Sequence, residues 1–222
     1  MRLIFIGPPG SGKGTQAKLL SERLDLMHFA TGDLLRDAIR NDTEAGRLAS
    51  TYVDAGQLVP DHVVNEFVKE VFAIKNGPEN FVMDGYPRTL GQAKWFDKFL
   101  KQERLDLDAV IFLAVADEEI IKRISARWSC PQPTCKATYN TLSKPPKQPG
   151  VCDACGSALA QREDDKAETV RKRLEVFHAS YDELLEHYRK QGMLIEVPGV
   201  GSIENIYNSI ETALKQGVPS KA

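Results

Sequence analysis

Nine residues near the N-terminus concentrate more chemistry than any other stretch: Gly7-Pro8-Pro9-Gly10-Ser11-Gly12-Lys13-Gly14-Thr15. Glycines let a backbone wrap tightly, so that consecutive N–H groups converge on one anion. The apolar run Leu3–Ile6 ahead of them reads as a strand, and the stretch from Gln16 to Leu24 reads as a helix. A helix N-terminus adds partial positive charge where the glycines end. Lys13 brings a full charge for the outer phosphates. The Thr15 hydroxyl suits a phosphate or the hydration shell of Mg²⁺. Strand, glycine-rich turn, Lys, hydroxyl and helix together make a phosphate-binding P-loop. The general pattern puts Ser or Thr directly after Lys, and here Gly14 intervenes. A plain turn with no ligand is the alternative, and four glycines, two prolines and a lysine are an odd choice for one.

All four cysteines fall between positions 130 and 155. Cys130 and Cys135 are separated by four residues, Cys152 and Cys155 by two, and the pairs by 16. That is close to zinc-ribbon spacing, in which two knuckles bring four thiolates into a tetrahedron. Gly156 gives the second knuckle its close backbone approach to sulfur, whereas the first knuckle is longer and lacks the glycine. Two disulfides or four ordinary thiols are the alternatives; the tight pairing and the cytosolic setting favour a structural metal. Four protein ligands leave no open coordination position, so such a metal holds a fold and does no chemistry.

Phe81-Val82-Met83-Asp84 is an apolar run ending in a carboxylate, similar to a Walker-B element whose Asp holds Mg²⁺. The alternative is an Asp that merely starts an Asp-Gly turn. Arg123 and Arg127 are four residues apart in a segment that reads as a helix from Asp117, burying Ile120, Ile121, Ile124 and Trp128. Like charges at that spacing repel, and a polyanion between them would turn the repulsion into binding. Arg162 and Arg173 follow. Singly, each arginine reads as a solvated surface charge. Around a P-loop, planar donors suit the three equatorial oxygens of a transferring phosphoryl group.

These groups need a scaffold. Leu3–Ile6, Phe81–Met83, Val110–Val115, Met193–Val197 and the weaker Met27–Phe29 read as buried strands alternating with helices. That pattern predicts a parallel sheet covered on both faces, with ligands at the carboxyl ends of its strands. Two helices, Asp33–Arg40 and Glu44–Ala55, follow with no strand between them and predict a small insertion. Residues 128–164 are too poor in large aliphatics to form their own core. A long helix spans 166–190, with Val170, Leu174, Phe177, Tyr181, Leu184, Leu185 and Tyr188 as its core stripe. A last helix runs from Ser202, its cap, to Lys215, and the tail 216–222 reads as loose. The chain has 222 residues, 42% of them hydrophobic and 27% charged, and a net charge of −2. That balance argues against a strongly basic nucleic-acid binder. No apolar run is long enough to cross a membrane, and the N-terminal one ends too soon for a signal peptide, so a cytoplasmic protein is expected.

Read together, the P-loop with its Gly14, Thr31-Gly32-Asp33-Leu34-Leu35-Arg36, Asp84-Gly85-Tyr86-Pro87-Arg88 with Gln92, and Gln161-Arg162-Glu163-Asp164-Asp165 resemble adenylate kinase over nearly the whole chain. Their order and spacing are similar to the long bacterial form with a zinc-binding lid. The resemblance implies an α/β fold of P-loop NTPase type, with core segments 1–29, 60–127 and 165–222. It adds a helical AMP-binding insertion at 30–59 and a zinc-ribbon-like lid at 128–164. It implies ATP + AMP ⇌ 2 ADP with Mg²⁺, carried out by a monomer that takes small nucleotides and neither nucleic acid nor membrane.

By that similarity, Gly10, Ser11, Gly12, Lys13, Gly14, Thr15, Arg123, Arg127, Thr138, Tyr139, Arg162 and Gly201 meet ATP. Thr31, Arg36, Gln57, Leu58, Val59, Gly85, Tyr86, Pro87, Arg88, Gln92, Arg162 and Arg173 meet AMP. Lys13, Asp84, Arg88, Arg123, Arg162 and Arg173 serve the transfer, and Cys130, Cys135, Cys152 and Cys155 take zinc. Thr31 and Asp33 also read as helix caps. The four histidines show no partner pattern and read as structural. The rival readings are a GTP:AMP phosphotransferase or another nucleoside monophosphate kinase, a zinc-ribbon nucleic-acid binder, and a switch GTPase, for which the guanine motif is missing.

Overall fold

The computed structural model describes residues 1–75 and 77–217. Five parallel strands form the central sheet: β1 (Arg2–Ile6), β2 (Met27–Ala30), β3 (Phe81–Asp84), β4 (Ala109–Ala114) and β7 (Leu194–Pro198), in the order β2-β3-β1-β4-β7. Strand residues alternate between two apolar layers, as a pleat with period two requires. Ile4 and Ile6 face the cluster containing Phe72, Phe96 and Leu184, while Leu3 and Phe5 face the one containing Leu20, Ile210 and Leu214. Helices therefore cover both faces: α1 (Lys13–Leu24) and α8 (Ile203–Gly217) on one, α4 (Asp61–Ile74), α5 (Leu90–Gln102) and α7 (Ala167–Lys190) on the other. The parallel sheet and its two helical layers are as the sequence predicts.

The chain order reverses direction at β1, whose neighbours are β3 on one side and β4 on the other. Such a switch opens a crevice at the strands' carboxyl ends, and Gly7 and Asp84 both lie there. Above that edge stand α2 (Thr31–Arg40) and α3 (Glu44–Asp54). The cap of α2 is Ala30, with no side-chain bond, so Thr31 and Asp33 do not cap it. Ser202 does cap α8, its hydroxyl accepting from Asn205 N at 3.1 Å. That helix extends two residues past Lys215 to Gly217, and the rest of the expected loose tail lies outside the described residues.

One helix is shorter than its pattern. α6 (Asp117–Ser125) ends before Arg127, which opens strand β5 (Arg127–Ser129) paired antiparallel with β6 (Thr138–Asn140). Arg123 and Arg127 therefore do not share a helix face. Trp128 packs beside the cysteines, and Ile121 is exposed. Continuing α6 would forgo the ladder with β6. The helical apolar period persisted by chance across the boundary. No described helix is long and apolar enough to cross a membrane.

Candidate active site and metal centre

The P-loop glycines take the conformations that the sequence demands. Gly10 has φ +81°, and a Cβ there would lie 2.6 Å from Ile124 Cγ1, so the loop is pressed against α6. Lys13 curls back over the loop, donating to Gly7 O at 2.7 Å and Pro8 O at 2.8 Å. Among the described residues it makes no ion pair. Burial, with Arg88, Arg173 and Arg127 nearby, lowers its pKa to about 7 despite the opposing pull of Asp84. The Asp84 carboxylate reaches the loop: a Cβ on Gly14 would lie 3.0 Å from Oδ2. The Asp84 carboxylate at the loop and the exposed Thr15 hydroxyl, one residue past Gly14, are oxygen donors of the kind that Mg²⁺ takes. Gly14 and Thr15 open to solvent at the start of α1.

Six arginines meet this edge from separate elements. Arg88 Nε donates to Gly85 O at 2.7 Å, and burial together with Arg36 lowers its pKa. Arg173, from α7, pairs with Asp164 at 2.8 Å. Burial pushes Arg162 and Arg173 down to about 10, so both stay charged at neutral pH. Arg162 lies 3.6 Å from Asp33, which also holds Arg36 at 2.5 Å. Arg123 is clamped onto the P-loop side, Nε to Glu119 at 2.8 Å and Nη1 to Gly199 O at 2.8 Å. Arg127 makes a two-pronged pair with the fully buried Asp165 carboxylate. Burial works against charge on Asp33 and Asp164, yet the arginines hold both carboxyls below their usual value. The result is a mesh of arginines held by carboxylates, with residual repulsion among Arg36, Arg88, Arg127, Arg162 and Arg173 that a polyphosphate would relieve.

Beneath α2 and α3 lies a cavity of about 1190 Å³, part of it open to solvent. Thr31, Arg36, Gln57, Leu58, Val59, Gly85, Pro87, Arg88, Gln92 and Arg173 line it together with Lys13. Gln92 accepts from Arg88 N at 2.7 Å and donates to Asp61 at 2.9 Å. An amide has two donors and two acceptor sites, so one of each stays available for a base edge. Tyr86 is the exception among the expected acceptor residues. Its side chain is fully buried and bonds Asn65 at 2.7 Å, inside the core. The α7 stripe also splits: Phe177 and Tyr181 line the cavity and are only part-buried, while Leu184 reaches both cavity and core. A helical period cannot tell an inner wall from a packed core. Gly201 (φ +131°) lies beyond the cavity, two residues after the Arg123 contact at Gly199.

The four cysteine sulfurs lie within 4.8 Å of one another, with 3.4 Å between Cys130 and Cys155 and 3.6 Å between Cys135 and Cys152. Tetrahedral Zn–S bonds of about 2.3 Å would place sulfurs about 3.8 Å apart, so the cluster fits such an ion. Both knuckles turn the same way after their second cysteine. Gly156 has φ +73°, and Lys136 has φ +51° in the position where the first knuckle lacks a glycine. Thr138 is exposed on β6, whereas Tyr139 turns inward to the sulfurs.

Sequence reasoning missed the carboxylates that hold the arginines, Asp33, Asp164, Asp165 and Glu119, and missed Asp61, which holds Gln92. Glu119, four residues before Arg123, and Asp33, three before Arg36, each left a readable trace at helical spacing. Three of the four histidines lie near carboxylates that the sequence did not reveal. His187 meets Asp97 at 2.7 Å, His178 meets Asp117 at 2.9 Å, and His28 lies 3.9 Å from Asp84.

A glycine-rich loop between β1 and α1, a switch-point crevice and a ring of guanidiniums define a P-loop phosphotransferase of the nucleoside monophosphate kinase class. The family description "Adenylate kinase" matches residues 5–193. An adenylate kinase of Archaeoglobus fulgidus is 45% identical over 216 residues, covering 97% of this chain and 99% of the relative. One of Streptomyces avermitilis is 42% identical over 221 residues and covers both chains completely. One of Caldicellulosiruptor bescii is 44% identical over 214 residues, 96% of this chain and 99% of its own. The chain belongs to the adenylate kinase family.

Proposed function

We propose that the chain transfers the γ-phosphoryl group of MgATP to AMP, giving two ADP, with the nucleotides seated on opposite sides of Lys13. The observation that carries this reading is that Lys13, Arg88 and Arg173 line one cavity, near enough for both arginines to lower the Lys13 pKa. Arg36, Arg88 and Gln92 hold AMP there, with Thr31, Gly85, Pro87 and the backbone of Gln57, Leu58 and Val59 as walls. Gly10, Ser11, Gly12, Lys13, Gly14 and Thr15 cradle the donor phosphates. Arg123, Arg127 and Arg162 flank them, and Thr138 and Gly201 border the donor nucleoside. In this reading the core is 1–29, 60–127 and 165–222, the helical AMP-binding insertion is 30–59 and the lid is 128–164.

An AMP phosphate oxygen attacks the γ-phosphorus in line. One P–O bond forms as the bond to the β-phosphate oxygen breaks, and that oxygen keeps the electron pair. No side chain forms a covalent bond, so the protein's work is positioning and charge stabilisation. Mg²⁺, held near Asp84 and Thr15, would neutralise charge on the donor phosphates. Closing the lid over the cleft excludes water as a competing acceptor. Zinc in the four-cysteine site holds the lid. Clustered thiols suit a reducing cytoplasm, and having every assigned residue in one chain suits a monomer.

The test offers ATP and Mg²⁺ with AMP, GMP, CMP and UMP in separate reactions. ADP formation with AMP alone is expected. Equal turnover with another acceptor would move the substrate and keep the mechanism, and replacing ATP with GTP reads the donor base.

A further inference from the structure

Tyr139 stands on β6, the strand expected to border the donor nucleotide, yet its ring is only 5% exposed and is packed among Cys130, Cys152 and Leu159. Its hydroxyl lies 3.5 Å from Cys152 Sγ and 2.8 Å from Asp153 N. Hydrogen-bond accounting fixes the roles. A backbone N–H can only donate, so the phenol oxygen accepts from Asp153. The phenol's own proton is then free for the sulfur, and a metal-bound thiolate keeps lone pairs to receive it. The side chain thus faces the lid's interior, which leaves any nucleotide contact at this residue to its backbone.

Tyr139 also stands at a junction. It pairs with Trp128 across the β5–β6 ladder, beside the pair of Arg127 and Asn140. The Asn140 amide donates to Arg123 O at 2.9 Å, and Thr141 N donates to Ala126 O at 2.9 Å. A continuous set of bonds therefore runs from Cys152 through the phenol and β6 to the backbone of both donor-side arginines.

We propose that Tyr139 is a positioning residue for the lid's metal centre, donating its hydroxyl proton to the Cys152 thiolate and tying the metal to the strand that sets Arg123 and Arg127. The proposal rests on the reading of the four cysteines as a metal site.

The experiment loads the full-length chain and its Tyr139→Phe variant with cobalt(II) in place of zinc. Loss of an outer-sphere partner weakens metal binding by roughly 10–100-fold. That loss is expected in competition with a chromophoric chelator, together with a moved sulfur-to-cobalt charge-transfer band. The KM for ATP should rise more than the KM for AMP. An unchanged band and an unchanged affinity in the variant overturn the proposal while leaving the metal site intact. A wild-type chain that takes up no cobalt overturns the metal reading, and the proposal with it. A second measurement needs no variant: in the wild-type chain loaded with NMR-active cadmium, the Tyr139 hydroxyl proton should couple to the metal through Cys152 Sγ. A hydroxyl proton seen without that coupling also overturns the proposal.

Discussion

Around the P-loop, Leu3, Ile4, Phe5 and Ile6 are at most 3% exposed, and the sheet they belong to carries an apolar layer on each face. In the stretch from 128 to 164 the buried cluster shrinks to Cys130, Tyr139, Cys152 and Leu159. Both regions carry charged groups to the same cleft. The first does so from a scaffold stabilised by area, at about 1.5–3 kcal/mol per fully buried large side chain. The second has too little area, and an ion held by the four clustered thiols, as proposed above, would substitute for it. A lid that opens and closes over a cleft, as proposed, could not sink a broad apolar face into the rest of the molecule without fixing itself there. Local cross-linking by a metal would leave it ordered internally and free to move as a body.

Five predictions sharpen or break that contrast. Metal removal has the largest expected effect. Structural zinc carries about 10–16 kcal/mol of apparent binding energy in small domains, so a chelator should cost the lid its order while the sheet survives. Hydrogen exchange would show loss of protection confined to 128–164, and simultaneous loss across β1 and β4 would merge the two regions into one cooperative unit. Next, Arg88→Ala should lower kcat by about 10³-fold, the low end of what an arginine on a transferring phosphoryl group supplies. Near-normal kcat in that variant would falsify its role.

Asp165→Asn then probes the join between the regions. It leaves the Arg127 guanidinium buried without its charge partner, at a cost of about 3 kcal/mol. Urea denaturation reads that cost, and a loss under about 1 kcal/mol, the value of a surface pair, would mean the pair is exchangeable with water. A smaller effect concerns protons. Lys13 sits near 7, against 10.5 for an ordinary lysine, and bound polyphosphate restores the charged form. Above pH 7 nucleotide binding should therefore take up a proton, and below it the lysine is already charged and uptake vanishes. Calorimetry in buffers of different ionisation enthalpy gives the sign, and proton release at pH 8 would refute it. Smallest is Lys136→Gly. It relieves the left-handed φ of +51° but removes the Asp37 contact to the 31–40 helix. Strain relief of about 1 kcal/mol should slightly exceed the loss of a surface pair, so the lid's melting temperature rises by a degree or two, on the order of the usual shift per kcal/mol. A fall instead would show that the contact to that helix outweighs the strain.

Much of the fold was legible because its signals are local. Glycines at fixed offsets, apolar runs of strand length and paired cysteines each report a backbone requirement within a few neighbours. The P-loop, the five-stranded parallel sheet and the four-sulfur cluster follow from such signals. The helix expected across Arg127 and Trp128 did not, because a partner strand eleven residues downstream claims that backbone.

By itself the sequence determined which residue types meet phosphate, which thiols gather and which segments carry the core, since turn geometry, periodicity and ligand spacing act at short range. Tertiary structure alone decided the partners of the arginines: Asp165 for Arg127, Asp164 for Arg173, Asp33 for Arg162. It also turned Tyr86 and Tyr139 inward and opened Phe177 and Tyr181 onto the cavity. An ion pair or a cavity wall forms wherever the packed elements bring side chains together, and no spacing along the chain encodes a contact made only when separate elements meet.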